Sequence, residues 1–349
     1  MNIEKFTISR DDQIYEAWPD VVLTKDGQLI CVFAECTHHN DRSFTRLVLC
    51  KSDDRGRTWS EKQHLTQGTN GIPYWNCPRI SRMKDDRLII VADKIFAGNE
   101  LGGKVYYWIG NSQETAWDGP ISTPVTGIVP DKLCELNNGR WILSAHDRNN
   151  EGFLEQKLWY SDNQGGEWQG PVTVASQNGL NLCEVSILSL PDEILVAFLR
   201  ENSSQGWDCY KTISYDNGES WSDAYNVPLP GCHRPVAGHL SSGRILITYR
   251  FMQGGKGWLG TWTQNFFAAL TDIESVKATE RKEQWTRILP IDFDRSLVAD
   301  LGYSGWVQFE DGEIYIVNYI VDDAPNGQIR GYSLREENFL IDNNSLPVN

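Results

Sequence analysis

Six stretches of the 349-residue chain repeat one pattern: a short β-rich run, a polar turn, then a second and more apolar run. Each pair of runs reads as a β-hairpin, since Gly, Asn and Asp accept the backbone angles of a tight turn between two strands. The stretches are PDVVLTKDGQLICVFAE (19–35), PRISRMKDDRLIIVADK (78–94), PDKLCELNNGRWILSAHD (130–147), EVSILSLPDEILVAFLR (184–200), RPVAGHLSSGRILITYR (234–250) and YSGWVQFEDGEIYIVNY (303–319). Between Gly27, Asp86, Gly139, Asp192, Gly243 and Gly312 the spacings are 59, 53, 53, 51 and 69 residues. A unit near fifty residues, met six times, predicts an all-β protein: a six-bladed β-propeller of four-stranded antiparallel blades, with residues 1–349 forming a single propeller domain.

A second element follows the hairpins. SDDRGRTW (52–59) and SYDNGESW (214–221) share Ser-x-Asp-x-Gly-x-(Ser/Thr)-Trp, SDNQGGEW (161–168) is a weaker copy, and GNSQETAW (110–117) keeps little beyond its Trp. These are Asp-boxes, in which side-chain oxygens satisfy the backbone of a tight turn and the Trp anchors it in apolar surroundings. Asp54 and Asp216 are therefore read as structural. Blades five and six lack a box, which makes 255–300 and 321–349 the least regular parts. The ring is expected to close by the N-terminal run NIEKFTI supplying the outer strand of blade six and so protecting its edge.

The totals narrow the partners. A formal net charge of −15 repels phosphate backbones and anionic bilayers, which argues against nucleic acid and membrane partners. The opening MNIEKFTISRDDQ has no apolar signal core, and no stretch approaches the roughly 20 apolar residues of a membrane helix, so a cytoplasmic location is expected. The sequon Asn202-Ser203-Ser204 would matter only in a secretory compartment. Eight cysteines lie mostly inside apolar runs with no C-x-x-C pair and no zinc spacing, so they read as buried free thiols, and neither a metal nor a cofactor is expected.

Counting strands A to D from the axis outward, the A–B hairpins and the Asp-boxes open on one face. A-strand starts, B-strand ends and B–C loops then gather on the other, where chemistry is expected. That set holds Glu184, Arg234 and Tyr303 at A starts, and Glu35, Lys94, Asp147, Arg200, Arg250 and Tyr319 at B ends. His38, His39, Asn40 and Asp41 fill the first B–C loop. So many polar groups converging on one axis point to a site.

Over most of its length, and most closely in blades one, four and six, the chain resembles the sialidase (neuraminidase) family. LCEVSILSLPDEILVAFLRENSSQGWDCYKTISYDNGESW (182–221) is similar to the family segment with a catalytic Glu, an Arg of the carboxylate-binding triad and an Asp-box; Glu184 and Arg200 fall on those positions. GYSGWVQFEDG (302–312) resembles the motif of the nucleophilic Tyr, which places Tyr303 there, and FAECTHHNDRSFTRLVLCKSDDRGRTW (33–59) resembles the stretch with the acid/base Asp, which places Asp41 there. The departures are specific. Ala17-Trp18-Pro19 stands where the family has Arg-Ile-Pro, so the first triad guanidinium is missing. Tyr319 replaces the Glu that supports it, and another family Arg is replaced around Cys36-Thr37. Arg250 is the candidate for the third triad Arg, with Arg234 as competitor. Glu35, His39 and Trp18 complete the expected substrate-binding set, Trp18 with Tyr74 and Trp75 as sugar-stacking rings or as inter-blade packing.

These residue types suit one another chemically. A Tyr is a poor nucleophile at its ordinary pKa of about 10, and a neighbouring carboxylate such as Glu184 can take its proton during attack. A phenol is preferable to a carboxylate where the anomeric carbon already carries a carboxylate, because two anions repel in a site with little water. The trio therefore implies a retaining exo-glycosidase releasing a terminal acidic sugar, a sialic, nonulosonic or uronic acid, from an oligosaccharide or glycoconjugate, with Asp41 protonating the leaving oxygen. Loss of one charge-assisted hydrogen bond, about 1.5–3 kcal/mol, argues for a changed substrate. Two other functions fit the same scaffold: a polysaccharide lyase with a Tyr or His base (His146-Asp147-Arg148 and His38-His39 supply candidates), and a carbohydrate-binding propeller without catalysis.

Overall fold

The computed structural model describes residues 3–96, 102–111, 117–253 and 263–340. Six antiparallel sheets follow one another around an axis, each with its A strand innermost. Blade one runs Tyr15–Leu23, Leu29–His38, Asp41–Ser52 and Gln63–His64, blade four Leu182–Ser189, Leu195–Glu201, Tyr210–Ser214 and Tyr225–Asn226, and blade five Cys232–His239, Ile245–Gln253, Thr263–Thr271 and Arg287–Phe293. Blades two and three have shorter inner strands. In blade two, Tyr74–Trp75 and Arg79–Arg82 both pair with Leu88–Ile95; the gap falls at Pro78, which has no N–H to give the ladder.

Blade six is completed as the sequence predicts. Glu4–Ser9 lies outermost, antiparallel to Gln328–Leu334, with Glu4 opposite Ser333 and Phe6 opposite Gly331. The ring is thereby closed by hydrogen bonds between Glu4–Ser9 and Gln328–Leu334, and the outer edge of Gln328–Leu334 is covered.

Three Asp-boxes are described, and the fourth, 110–117, lies largely outside the described residues. In the first, Asp54 accepts from the Thr58 amide and hydroxyl at 2.8 and 2.6 Å, Ser52 Oγ accepts from the Gly56 amide at 2.8 Å, and the Trp59 indole donates to Gly56 O at 3.1 Å. Asp216, Ser220, Gly218 and Trp221 repeat these bonds, and Asn163 takes the Asp position in the weaker copy. The hydrogen bonds from Thr58 hold the Asp54 carboxyl down to about 2. Gly56 (φ +83°) is forced by space as well as by its angle: a Cβ there would lie 2.2 Å from the Tyr315 ring, whose hydroxyl donates to Gly56 O at 2.7 Å. Blade five has no box, and its C–D link instead carries the short helix Ile273–Lys277, whose Ser275 and Val276 carbonyls accept from buried Lys211 of blade four.

One backbone feature recurs on the inner strands. Pairing slips between Ala17 and Asp20, Cys183 and Ser186, His233 and Val236, and Gly302 and Gly305, and at each bulge one non-glycine residue is left-handed: Trp18 (φ 57°), Glu184 (48°), Arg234 (49°) and Tyr303 (52°). Each such residue costs roughly 1–2 kcal/mol, and a bulge re-aims its side chain away from the regular pleat. Carbonyls freed near the bulges are collected by two fully buried arginines. Arg79 of blade two donates to Pro19 O of blade one (3.2 Å) and Ser304 O of blade six (3.0 Å); Arg234 of blade five donates to Val185 O of blade four (3.1 Å) and Pro130 O before blade three (3.0 Å). We expect Arg79→Met and Arg234→Met each to lower unfolding stability by roughly 3 kcal/mol, as two charge-assisted bonds are lost; urea midpoints unchanged from wild type would show that the axis holds without them. Deleting residues 1–9 should lower Tm by several degrees in a thermal scan, because it uncovers Gln328–Leu334 as an edge.

Candidate functional site

On the face where B strands end, a cavity of about 410 Å³ is lined by Tyr15, His39, Arg200, Arg250, Asp300 and Tyr303 among others. Tyr303 lines it from the bulge in blade six, and Glu184, buried at the bulge in blade four, stands behind it. The Tyr303 hydroxyl donates to Glu184 Oε1 at 2.5 Å, and Arg200 binds the same oxygen at 2.7 Å while its other amino group donates to Asn202 Oδ1 at 2.6 Å. Burial opposes ionisation of Glu184, but the charges of Arg200 and then Arg250, with the Tyr303 hydrogen bond, outweigh it and hold the carboxyl down to about 2. Glu184 is thus a carboxylate, able to accept a proton. Burial, and after it the Glu184 charge, pushes the Tyr303 phenol well above its ordinary value, so it rests protonated. Its ring lies between two guanidinium groups, Arg234 at 5.6 Å and Arg250 at 5.7 Å. Gly302 (φ +122°) allows the close approach, since a Cβ there would sit 3.0 Å from Arg250 Cβ.

A second polar group faces this pair. Asp300 Oδ2 takes hydrogen bonds from the Tyr15 hydroxyl and stands 2.5 Å from His39 Nδ1, Oδ1 accepts from the Tyr319 hydroxyl at 2.8 Å, and Arg250 lies 3.9 Å away. Burial alone would raise the Asp300 carboxyl, but the His39 bond and the Arg250 charge prevail and hold it below the usual carboxylate range. Asp300 and Tyr15 went unread in the sequence. Asp300 lies in the irregular stretch before Gly302-Tyr303, where no period reaches, and its only signal is position: it precedes the bulge residue Tyr303 by the same three places as Tyr15 precedes Trp18.

The sequence-predicted residues divide sharply. Tyr303, Glu184, Arg200, Arg250 and His39 come together. Arg234 does not line the cavity: it is fully buried, with both amino groups on backbone carbonyls, whereas Arg200 lines the cavity. Glu35 is fully buried inside blade one, paired with Arg46 at 2.7 Å and Lys62 at 2.6 Å. Asp41 begins the C strand at the exposed turn, its carboxylate accepting from its neighbour Ser43 N at 2.8 Å, and it does not line the cavity. Trp18 is buried with Arg42 at 4.0 Å over its ring, and Lys94 sits 4.6 Å over Trp75, so these faces are covered by cations rather than presented to a sugar. Ala17 is buried and carries no polar group, while Tyr319 serves Asp300. All eight cysteines are free, seven of them buried. Among the described residues no cluster of three or more His, Cys, Asp or Glu is placed to hold a metal ion, and no helix is long and apolar enough to cross a membrane.

Residues 27–316 match the sequence profile of the BNR repeat-like domain. Among curated proteins none matches significantly. Among solved structures, a Dyadobacter fermentans protein of unknown function superposes with a TM-score of 0.78 at 20% identity, covering 95% of this chain and 99% of the other. A Hadza microbial sialidase gives 0.73 at 14% identity, covering 95% and 68%, and Trypanosoma rangeli sialidase in complex with sialic acid gives 0.69 at 15% identity, covering 97% and 59%. The chain thus spans about three fifths of the trypanosomal enzyme, and at these identities the likeness is one of fold.

Beside the site, burial pushes His146 down to about 4, with the Glu184 charge opposing. Its folded value lies below the unfolded one of about 6.5, so the unfolded chain binds the extra proton and stability falls as pH drops from about 6.5 to about 4, by on the order of 3 kcal/mol. His146→Asn should therefore show a smaller loss of Tm between pH 7 and pH 4.5 than wild type; equal losses would mean that His146 is not the group that takes up the proton.

Proposed function

The chain belongs to the BNR repeat-like domain family, and from that premise we propose that it is a retaining exo-glycosidase of sialidase type, releasing a terminal acidic sugar from an oligosaccharide or glycoconjugate. The single observation that carries the reading is the 2.5 Å hydrogen bond from Tyr303 to Glu184 at a cavity bordered by Arg200 and Arg250. A phenol at its resting pKa does not attack an anomeric carbon, but one already bonded to a carboxylate base loses its proton as the new C–O bond forms. Arg200 and Arg250 hold the sugar carboxylate against the attacking oxygen and screen the charge that develops on it.

Ala17 narrows the substrate. Two guanidinium groups rather than three, with the Asp300 carboxylate also lining the cavity, suit an acidic sugar that also presents hydroxyl or amino donors to that carboxylate. A lyase reading has one observation in its favour, the imidazole of His39 in a cavity also lined by two arginines, a set that also serves removal of a proton beside a uronate carboxylate.

The test is turnover of 4-methylumbelliferyl α-glycosides of N-acetylneuraminic acid, of its deaminated analogue and of glucuronic acid. At least one should be cleaved, and Tyr303→Phe should lower kcat by 10³-fold or more, on the order of 4 kcal/mol, with the fold intact by circular dichroism. Full activity in Tyr303→Phe would end the hydrolase reading. Release of a product absorbing as an unsaturated uronate from a 4-O-linked oligouronide, whose C4 oxygen is the group expelled, would select the lyase.

A further inference from the structure

Resting on the glycosidase reading, we infer that the proton donor to the departing glycosidic oxygen is His39 carried on Asp300, and that the B–C loop carboxylate Asp41 does not perform this step. Four observations on the cavity converge. His39 and Tyr303 line the same cavity, and both pack edge-on against the Trp18 indole, with ring centroids 5.5 and 6.5 Å from it, so the two are fixed relative to one another. His39 Nδ1 is committed to Asp300 at 2.5 Å, and no described residue bonds Nε2. Asp300 is itself held from three sides by Tyr15, Tyr319 and Arg250, which fixes the ring's orientation through the carboxylate. A carboxylate that stays anionic and anchors one imidazole nitrogen while the other meets the reacting oxygen is a known solution for moving a proton in both directions.

Asp41 lacks each of these properties. Its carboxylate is turned back onto Ser43, it is exposed, and that amide bond holds it below the ordinary carboxylate range, which favours the form with no proton to give. The turn around it is tight, with His38 paired directly to Asp41 across the hairpin, which sets His39 and Asn40 at its tip. The groups that face His39 are Asp300 and, around that carboxylate, Tyr15, Tyr319 and Arg250, with His38 beside it in the chain.

The steps balance. Tyr303 Oη bonds to the anomeric carbon as its proton passes to Glu184, the bond to the leaving oxygen breaks, and that oxygen takes the proton of the His39 imidazolium. Neutral His39 then removes a proton from water, whose oxygen displaces Tyr303 Oη from the anomeric carbon, and the phenolate recovers its proton from Glu184. One water is consumed, and every protein group ends as it began.

The experiment compares paired 4-nitrophenyl and methyl glycosides of N-acetylneuraminic acid, of its deaminated analogue and of glucuronic acid in wild type, His39→Gln and Asp41→Asn. A nitrophenolate departs without help and an alkoxide does not, so loss of the proton donor shows as a split between the two leaving groups. His39→Gln should lower kcat/KM on the methyl glycoside about 100-fold or more and on the nitrophenyl glycoside less than about 10-fold, while kcat on the nitrophenyl glycoside falls because the second step lacks its base, and added azide should restore that kcat and yield the glycosyl azide. A split in Asp41→Asn with none in His39→Gln would overturn the assignment while leaving the glycosidase reading standing. Wild type that cleaves none of the six glycosides would defeat the glycosidase reading and this inference with it.

Discussion

Arg79 and Arg234 hold the carbonyls of Pro19, Ser304, Val185 and Pro130, so that two buried side chains tie together the inner strands of the ring. The need for them follows from the bulges. Where a strand slips by one residue its ladder is interrupted, and a buried carbonyl left without a donor is costly. A planar guanidinium reaches two such groups at once. Its charge is met nearby: Asp20 lies 3.5 Å from Arg79 and also accepts the Ile80 amide, and Asp131 accepts the Ile187 amide across the next blade boundary. Closure of the ring is therefore partly polar, built from residues that look on paper like exposed charges.

The same bulge supplies the site. Trp18, Glu184, Arg234 and Tyr303 hold one backbone position in four blades, and their fates differ only by side chain. Arg234 becomes a structural tie 5.6 Å from the Tyr303 ring; Glu184 bonds Tyr303, which lines the cavity. A scaffold of this kind keeps its closure while the residues on the open face change, which is why a shared fold at 14–20% identity does not transmit an activity by itself.

Charge is distributed unevenly across the cavity. Arg200 binds Glu184, Asp300 takes the hydrogen bonds of Tyr15, Tyr319 and His39, and Arg250 lies 3.9 Å from Asp300 while its charge also reaches Glu184. Ala17, Tyr319 and Asp300 make sense as a set: no guanidinium projects from Ala17, the position of Tyr319 carries a phenol rather than a carboxylate, and that phenol donates to Asp300. The wall is anionic and hydrogen-bonding where the resemblance led one to expect a cation with its acid.

The hairpin period and the Asp-boxes determined the six blades, the face that carries the polar residues, and the closing role of NIEKFTI, because alternation and turn chemistry are local and leave their mark within a few residues of themselves. Tyr303, Glu184 and Arg200 were legible for a related reason, each lying in or beside a repeat unit whose register is countable. The tertiary structure alone decided the rest. Whether Arg234 meets a ligand or two carbonyls, and whether Glu35 faces a cavity or Lys62, depends on which blade stands next to it, and no local pattern encodes that. Asp300 lies outside every repeat, and it becomes part of the site only because the ring brings it beside Tyr15, His39 and Arg250, residues 50 to 285 positions away in the chain.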